Sequence, residues 1–304
     1  PIGAVYGALT ARRMARTGED PGPPVICIGN FVAGGAGKTP TAMVVAQMLQ
    51  KQGRKPVFLS RGYGSSAQSP RLVDRARDKA SEVGDEPLLL AAIAPCVVAA
   101  DKREGARACV AAGADVIVMD DGLQNPTLNK ALRIAVVDGA VGVGNGLCLP
   151  AGPLRAPLSA QWPHVDALVV IGAGERGEAL ARAAEALGKP VLRGALAPEP
   201  GMAMGLHGRE VLAFAGIGRP EKFFDTLRAL GAEVIETEAF PDHHAFTARE
   251  IAGLQGRAKR RGAALVTTEK DAVRLGPAAE RLLTLPVRLA LEDQAGLMEM
   301  LGEL

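Results

Sequence analysis

Short apolar runs alternate along the chain with longer segments that have the periodicity of amphipathic helices. In the first two thirds of the sequence the apolar runs lie at residues 25–29, 56–60, 96–99, 116–119, 133–137 and 167–171. Because polar residues do not alternate with the apolar ones, these runs predict strands covered on both faces, as in a parallel sheet. Segments such as 102–112 and 175–187 predict the covering helices.

The alternation stops near residue 195 and resumes near residue 211. The stretch between them is rich in Pro, Gly and Met and has no periodicity, which is typical of a linker. The pattern therefore predicts an α/β fold of two units with a cleft between them. We expect a large parallel-sheet domain with helices on both faces at 1–195, a linker at 196–210, and a second, smaller α/β domain at 211–304 that closes the cleft.

Composition excludes several classes of protein. The net charge of the 304 residues is only +2, so the whole chain offers no case for a nucleic-acid partner. The sequence contains no run of 18 apolar residues that could span a bilayer. The cysteines are far apart and form no CxxC pair, so we interpret them as small buried hydrophobic residues; they are Cys27, Cys96, Cys109 and Cys148.

The strongest local signal is a glycine-rich turn between the first predicted strand and a helix predicted at 38–52. Its residues are Gly34, Gly35, Ala36, Gly37, Lys38 and Thr39. Glycines allow backbone N–H groups to surround phosphate oxygens, and the helix N-terminus adds a positive dipole. We predict that Lys38 reaches the β- and γ-phosphates of a nucleotide and that the Thr39 hydroxyl binds Mg²⁺.

The loop departs from the standard GxxxxGK[ST] spacing. That spacing requires glycine at position 32, where this chain has Val32, and what remains matches the variant xGGxGK[ST]. The strand–turn–helix context is nevertheless the one that a phosphate loop requires. The larger domain is therefore predicted to be of the P-loop type.

Two adjacent carboxylates follow the apolar run at 116–119. Asp120 and Asp121 stand at the predicted carboxyl end of a buried strand, where such sheets present a Mg²⁺ partner beside the phosphate loop. Neighbouring side chains of an extended chain point to opposite sides. One carboxylate can therefore hold the metal or its waters while the other faces the substrate or a neighbouring loop, and the sequence does not say which.

Other polar residues carry little signal by themselves. Asp85 lies in a short acidic turn that is typical of a helix start. The pair His243 and His244 has no third ligand at metal-binding spacing, and His164 and His207 have no evident partner. Considered alone, these residues are interpreted as structural.

In combination, these segments resemble the tetraacyldisaccharide 4'-kinase family, and the resemblance spans nearly the whole chain. The segments that carry it are VICIGN at 25–30, GGAGKTP at 34–40, SRGYG at 60–64, VGDEP at 83–87, DDGLQ at 120–124, NG at 145–146, LPAGPLR at 149–155, AGIG at 215–218, FF at 223–224, DH at 242–243 and TTEKDAV at 267–273. The resemblance implies ATP-dependent phosphorylation of the 4'-hydroxyl of a lipid A disaccharide 1-phosphate. It places that reaction at the cytoplasmic face of the bacterial inner membrane.

The resemblance also implies roles for individual residues. Lys38 and Thr39 hold ATP and Mg²⁺, and Asp120 and Asp121 are the carboxylates on the metal side. Asp85 becomes the base for the sugar hydroxyl. Arginine and tyrosine candidates for phosphate or acceptor contacts, for which a surface or packing role is an equal alternative, are Arg61, Tyr63, Arg103 and Arg155.

By the same resemblance, His243 is the partner of Asp85 across the interdomain cleft. His243 is preferred to His244 because the family motif is Asp-His followed by a variable residue. Two departures from the family concern the acceptor side: Ala156 stands where the family commonly has Glu, and Asn125 stands where it often has His.

The N-terminal segment predicts a helix that contacts a membrane surface. Its apolar stripe consists of Ile2, Val5, Tyr6 and Leu9, and the arginines that continue the same side are Arg12, Arg13 and Arg16. This arrangement suits an apolar tip in lipid with arginines at the headgroups. The alternative is a helix packed on its own domain.

Two other functions share parts of this pattern. Partitioning-type ATPases, which act on membranes or DNA, have a similar loop, but their signature Lys before the two glycines is Ala33 here. A GTP-binding module would need an NKxD-type motif, which the sequence lacks. We expect a monomeric kinase.

Overall fold

The computed structural model describes residues 2–62 and 70–304. The strands in these residues are β1 (Val25–Gly29), β2 (Pro56–Ser60), β3 (Arg71–Leu72), β4 (Cys96–Val98), β5 (Val116–Asp120), β6 (Leu132–Asp138), β7 (Ala167–Ile171), β8 (Val191–Pro198), β9 (Glu210–Ala215), β10 (Glu233–Ala239), β11 (Ala264–Thr268), β12 (Leu283–Leu285) and β13 (Val287–Leu291). They form two separate sheets.

The helices follow the alternation expected from the sequence. They are α1 (Ile2–Met14), α2 (Lys38–Lys51), α3 (Ala80–Val83), α4 (Asp85–Leu90), α5 (Lys102–Ala111), α6 (Leu158–Gln161), α7 (Glu175–Ala186), α8 (Pro200–Met204), α9 (Pro220–Ala229), α10 (Ala248–Arg260), α11 (Glu269–Leu275) and α12 (Gln294–Gly302), with 3₁₀ turns at Trp162–His164 and Gly276–Arg281. None of the helices in the described ranges is long and apolar enough to cross a membrane.

The larger sheet has the strand order β13-β8-β7-β6-β1-β5-β2-β4-β3. The strands from β8 to β4 run parallel, and the edge strands β3 and β13 are antiparallel to their neighbours. Every residue of β1, β2, β5 and β7 is buried, as the unbroken apolar runs predict. The predicted α/β fold with a parallel sheet covered on both faces is confirmed.

Strand β1 divides the larger sheet into two halves. Strands β2 to β5 lie on one side of it, whereas β6, β7 and β8 lie on the other. Ligands of such sheets bind outside the carboxyl ends of the strands, near the point where the chain changes side. The loop after β1 and the carboxyl end of β5 meet at this point, because the two strands are paired neighbours.

The smaller sheet contains parallel strands in the order β10-β9-β11-β12. Its two faces are covered by separate apolar clusters, one around Phe223 and Phe224 and the other around Phe214 and Leu254. The prediction of a second, smaller α/β unit is thereby confirmed for the fold.

The chain crosses the predicted domain limits in two places. Strand β8 and helix α8 run through the predicted linker at 196–210. Strand β13, from the predicted smaller domain, pairs with β8 at the edge of the larger sheet, and α12 packs on that sheet's core through Leu297 and Leu301. The limits at 195 and 211 stay a prediction, but the last strand and helix return to the larger sheet.

Candidate active site

The phosphate loop has the backbone geometry that its glycines allow. Gly34 and Gly37 have φ angles of 120° and 89°, in the region that residues with a Cβ rarely adopt. A Cβ on Gly37 would also lie 2.4 Å from the side chain of Ile171. Gly37 precedes α2 and has no side chain to cap it, so the first N–H groups of the helix are left for an anion.

Lys38 and Thr39 meet the two carboxylates that the sequence singled out. The Lys38 ammonium donates to the carbonyl oxygen of Gly34 at 3.3 Å and lies 3.9 Å from Asp121 Oδ1. The Thr39 hydroxyl donates to Asp120 Oδ2 at 3.4 Å. The carboxyl end of β5 therefore lies directly beside the start of α2.

Asp120 has an unsatisfied oxygen that fits a divalent cation. Its side chain is only 3% exposed, and its Oδ1 atom has no hydrogen-bond partner among the described residues. Burial, with repulsion from Glu86 as a second cause, raises the pKa of Asp120 to about 7 against the opposing effect of Lys38. A buried carboxylate oxygen without a partner is costly, and a bound cation would relieve that cost.

The donor set suits Mg²⁺ better than a metal held in a protein cage. The parts of the chain that are described contain no cluster of three or more His, Cys, Asp or Glu residues around a common point. Mg²⁺ at nucleotide sites uses one or two protein oxygens and completes its shell with water and phosphate. The Thr39 hydroxyl and the Asp120 carboxylate are of that kind.

Asp121 faces the other side of the loop. Its backbone has a φ angle of 56°, which turns the chain sharply after β5. Arg155 Nη2 donates to Asp121 Oδ2 at 2.9 Å, while Arg155 Nε binds the carbonyl oxygen of Val32 at 3.1 Å. The two neighbouring acids thus diverge, and Arg155 ties Asp121 to the phosphate loop.

Two buried glutamines hold the strand end that precedes the loop. Gln124 Nε2 donates to the carbonyl oxygen of Asn30 at 2.7 Å and to Gln161 Oε1 at 2.8 Å. Gln161 Nε2 in turn donates to the carbonyl oxygens of Phe31 and Ala156. Ala156, where the family commonly has Glu, is itself fully buried, so its side chain lies inside the fold. Gln161 had no signal in the sequence.

Lys130 is another residue near the site that the sequence pattern did not single out. Its ammonium donates to the carbonyl oxygens of Gly122, Leu123 and Asn125 at 2.7, 3.1 and 2.6 Å. Three carbonyls on one ammonium fix the loop that follows Asp121. Asn125, the other departure from the family, caps the next turn through a bond from Thr127 N to its side-chain oxygen at 2.8 Å.

Asp85 lies at the first position of α4 and is 4% exposed. Its Oδ2 atom accepts hydrogen bonds from Arg274 Nε at 3.0 Å and Nη2 at 2.6 Å, and it lies 3.2 Å from His243 Nδ1. Its Oδ1 atom accepts from Glu86 N at 3.0 Å. Burial acts to raise the pKa of Asp85, but Lys270, Arg274 and His243 together hold it below its usual value. Asp85 is therefore an ionised carboxylate in a cationic surrounding.

The structure brings His243 to Asp85 and gives His244 a different environment. His243 has a φ angle of 59°, and its N–H donates to the carbonyl oxygen of Gly216 at 3.2 Å. The His244 ring stacks on Phe240 with centroids 4.8 Å apart and lies 3.1 Å from Glu250. His244 is thus part of the packing of the smaller sheet.

Arg274 and Lys270 were not among the predicted site residues. Both lie on α11, and Lys270 binds Glu86, the neighbour of Asp85, at 2.9 Å. The TTEKDAV segment at 267–273 contains Lys270 and stops one residue before Arg274. The local signal was therefore present, but nothing in the sequence connects α11 with α4.

The remaining candidates are two exposed arginines and one tyrosine. Arg103 pairs with Glu19 at 3.3 Å, and both side chains are about half exposed. Arg61 is exposed directly after β2, and Tyr63 lies outside the described residues.

The cysteines Cys27, Cys96 and Cys109 are buried, as expected, whereas Cys148 is half-buried.

Helix α1 exposes its apolar residues. Ile2 and Leu9 are 73% and 64% exposed, and Val5 and Tyr6 are exposed as well. The opposite side of the helix packs through small residues, since a Cβ on Gly3 or Gly7 would lie within 3 Å of Cys148. The helix therefore sits on its own domain through its glycines and leaves the apolar stripe uncovered.

The chain is similar along its whole length to proteins of one family. The family model described as tetraacyldisaccharide-1-P 4'-kinase matches residues 1–304. A tetraacyldisaccharide 4'-kinase of Methylobacterium sp. (strain 4-46) is 61% identical over 299 residues, which cover 98% of this chain and 90% of the relative. One of Rhodopseudomonas palustris (strain BisB5) is 51% identical over 307 residues, which cover 100% of this chain and 91% of the relative.

A solved structure is similar in the same way. The crystal structure of LpxK from Aquifex aeolicus in complex with ATP is 26% identical in sequence and has a TM-score of 0.77. The similarity covers 100% of this chain and 97% of that chain. Both units of the fold are therefore included in the comparison.

Proposed function

The chain belongs to the tetraacyldisaccharide-1-P 4'-kinase family, and we propose that it transfers the γ-phosphoryl group of ATP to the 4'-hydroxyl of a tetraacyldisaccharide 1-phosphate. The observation that carries this proposal is the meeting of the phosphate loop with Asp120, whose buried Oδ1 atom lacks a partner. The partitioning-type ATPase is not favoured, because the relatives are kinases along the whole chain.

The residues at the phosphate loop would bind and orient ATP. The backbone N–H groups of 34–39 would surround the phosphates, and Lys38 would neutralise charge on the transferred group. Thr39 and Asp120 would hold Mg²⁺, which when bound neutralises phosphate charge. Asp121 would steer Lys38 and, through Arg155, keep the loop in place. Asp121 could also bind the metal's waters.

Asp85 would orient the acceptor hydroxyl and take its proton. As the acceptor oxygen forms its bond to the γ-phosphorus, the bond from that phosphorus to the β–γ bridging oxygen breaks, ADP leaves with the electron pair, and the hydroxyl proton passes to the Asp85–His243 pair. A carboxylate with a lowered pKa is a weak base. A weak base suits a loose transition state, in which the acceptor hydroxyl loses its proton only after most of the bond to the leaving group has broken.

The direct test uses ATP labelled in its γ-phosphate and the lipid disaccharide 1-phosphate. We expect a labelled lipid whose label is at the 4' position. Free labelled phosphate without labelled lipid would contradict the proposal. It would instead indicate an ATPase.

Asp120→Asn tests the metal site. The amide keeps the shape of the side chain but removes the charge from the oxygen that has no partner, so Mg²⁺ would bind less tightly. We expect the Mg²⁺ concentration for half-maximal rate to rise at least about tenfold, as for the loss of a group that supports a metal. A titration of initial rate against Mg²⁺ measures it. Asp115→Asn, on the exposed turn before β5, is the matched control and should keep the original requirement.

We also propose that the kinase binds the cytoplasmic face of the inner membrane through α1. The support is the exposed stripe of apolar residues, which is followed by exposed arginines. Burial of such side chains in lipid contributes about 1 kcal/mol or more each. The monomeric state stays a prediction.

Replacing Ile2, Val5 and Leu9 together by Ser should lower partition onto anionic vesicles about 10²-fold, since about 3 kcal/mol of burial is lost. Cosedimentation with vesicles measures this effect. The rate with a detergent-solubilised acceptor should hardly change. Leu187→Ser, at an exposed leucine on the end of α7, is the control. Equal partition of the triple variant and the control would argue against a membrane role for α1.

A further inference from the structure

The side chain of Arg274, on the helix that follows β11 of the smaller sheet, contacts Asp85. It is only 7% exposed, and two of its nitrogens bind Asp85 Oδ2. The third nitrogen, Nη1, donates to the carbonyl oxygen of Gly216 at 2.6 Å and to Asp271 Oδ1 at 2.8 Å. All three guanidinium nitrogens are engaged, which fixes the plane of the group. A lysine has a single nitrogen and cannot make this set of contacts.

Gly216 aligns Arg274 and His243 on the same oxygen of Asp85. Its carbonyl oxygen accepts from Arg274 Nη1 and also from the backbone N–H of His243. Its own N–H donates to both oxygens of Asp271, at 3.2 and 3.1 Å. The two groups that contact Asp85 Oδ2 are therefore mounted on one rigid support at the carboxyl end of β9.

Arg274 is shared by two carboxylates that are almost completely buried, Asp85 and Asp271. Lys270 also acts on both carboxylates through its charge, but its ammonium binds Glu86 instead. Without Arg274, two buried negative charges would lose the cation that is hydrogen-bonded to both, and each would be protonated more easily. Several charged or titratable groups lie on Asp85's helix and on the elements packed against it. They are Glu86 of α4, Lys38 and Lys51 of α2, Lys79 at the N-cap of α3, Glu82 of α3, Cys96 of β4, Glu269, Lys270, Asp271 and Arg274 of α11, and His243.

We propose that Arg274 is a positioning residue of the kinase, which holds the Asp85 carboxylate in place and aligns it with His243 for the acceptor hydroxyl. The inference rests on the role proposed above for Asp85. It adds that the unit built on the smaller sheet contributes two groups to the site, Arg274 from α11 and His243 from the segment after β10.

Arg274→Ala is expected to lower kcat about 10²-fold, because misplacement of a reacting group by about 1 Å can have that effect. The KM for ATP should stay the same, since the phosphate loop is untouched. The acid limb of the kcat profile should move to higher pH, because Asp85 without the hydrogen bonds and charge of Arg274 is protonated at higher pH. Guanidinium ions at low concentration should restore part of the rate, whereas urea should not.

Arg288→Ala is the matched control. Arg288 binds Glu269 on the same helix at 2.6 Å and lies near Glu199, so it also ties α11 by an ion pair. Its loss should leave kcat and the pH profile close to the original. A wild-type kcat and pH profile in Arg274→Ala would overturn the inference.

Arg274→Lys keeps the positive charge and serves if Arg274→Ala does not fold. It should fold, bind ATP normally, and still lose about tenfold in kcat, since the forked contacts are gone. Wild-type kinetics in Arg274→Lys would likewise overturn the inference.

Asp85→Asn separates this inference from the proposed function. If Asp85→Asn retains full activity, the role of Asp85 fails, and the role of Arg274 fails with it. If Asp85→Asn is inactive while Arg274→Ala behaves as wild type, only the inference on Arg274 fails. If Asp85 is the base and Arg274 positions it, Arg274→Ala should cause little further loss of kcat in the Asp85→Asn background.

Discussion

Replacing Lys38 by Met is expected to lower kcat about 10³-fold while the chain remains folded. In the structure the Lys38 ammonium lies 3.3 Å from the carbonyl oxygen of Gly34 and 3.9 Å from the carboxylate of Asp121. Phosphoryl transfer depends mainly on positioning and on neutralising the charge of the transferred group. Met keeps most of the length and apolar body of Lys but removes that charge. Initial rates with labelled ATP measure the effect.

Lys51→Met is the control for this variant. Lys51 ends the same helix and is exposed, so its replacement changes the net charge equally but leaves the loop intact. The control should keep the wild-type kcat, and both variants should have the thermal stability of the parent. If Lys38→Met kept more than about a tenth of the wild-type kcat, the assignment of the loop to the transferred phosphate would be wrong.

Asp85→Asn is expected to lower kcat by about 10²- to 10⁴-fold, the range that general bases contribute. The amide cannot accept the acceptor proton, and it leaves Arg274 and His243 without the negative charge that they surround. Binding of ATP should change little. Among the described residues, the partners of the two Asp85 carboxylate oxygens are Glu86, Arg274 and His243, and none of them belongs to the phosphate loop. Single-turnover rates at saturating ATP, together with a calorimetric titration of ATP, separate these two effects.

Asp78→Asn is the matched control for Asp85→Asn. Asp78 is also a nearly buried carboxylate that pairs with an arginine, Arg71, and it accepts a hydrogen bond from Asp74 N. Its replacement tests whether the loss of any buried ion pair reduces the rate. A similar loss of kcat in both variants would point to a general structural effect. Full turnover of Asp85→Asn with an unchanged pH profile would show that Asp85 is not the base.

Much of the fold could be predicted because its signals are local. The unbroken apolar run at β5 predicts a strand covered on both faces, and every residue of β5 is buried. Gly37 followed by Lys38 and Thr39 predicts a helix that begins at a phosphate loop, since only glycine tolerates the backbone there. Each of these features depends on residues within one turn or one strand of each other.

The pairing of distant elements could not be predicted in this way. The return of β13 to the edge of the larger sheet joins residues about 90 positions apart, and a period of two along a strand does not identify its neighbour. The pattern of the strands therefore predicted that the end of the chain, which contains β13, belongs to the smaller unit. In the structure, hydrogen bonds to β8 hold β13 at the edge of the larger sheet.

The sequence by itself identified the residues that we propose to bind phosphate, because a loop, its helix and its lysine are contiguous. Only the tertiary structure decided which side chains the carboxylates contact. Asp85 and Arg274 are separated by 189 positions, and the charge and position of Asp85 depend on that contact. The physical reason is that electrostatic interactions and buried hydrogen bonds act through space at a few ångströms, whereas the periodicity of a sequence reports only on neighbours along the chain.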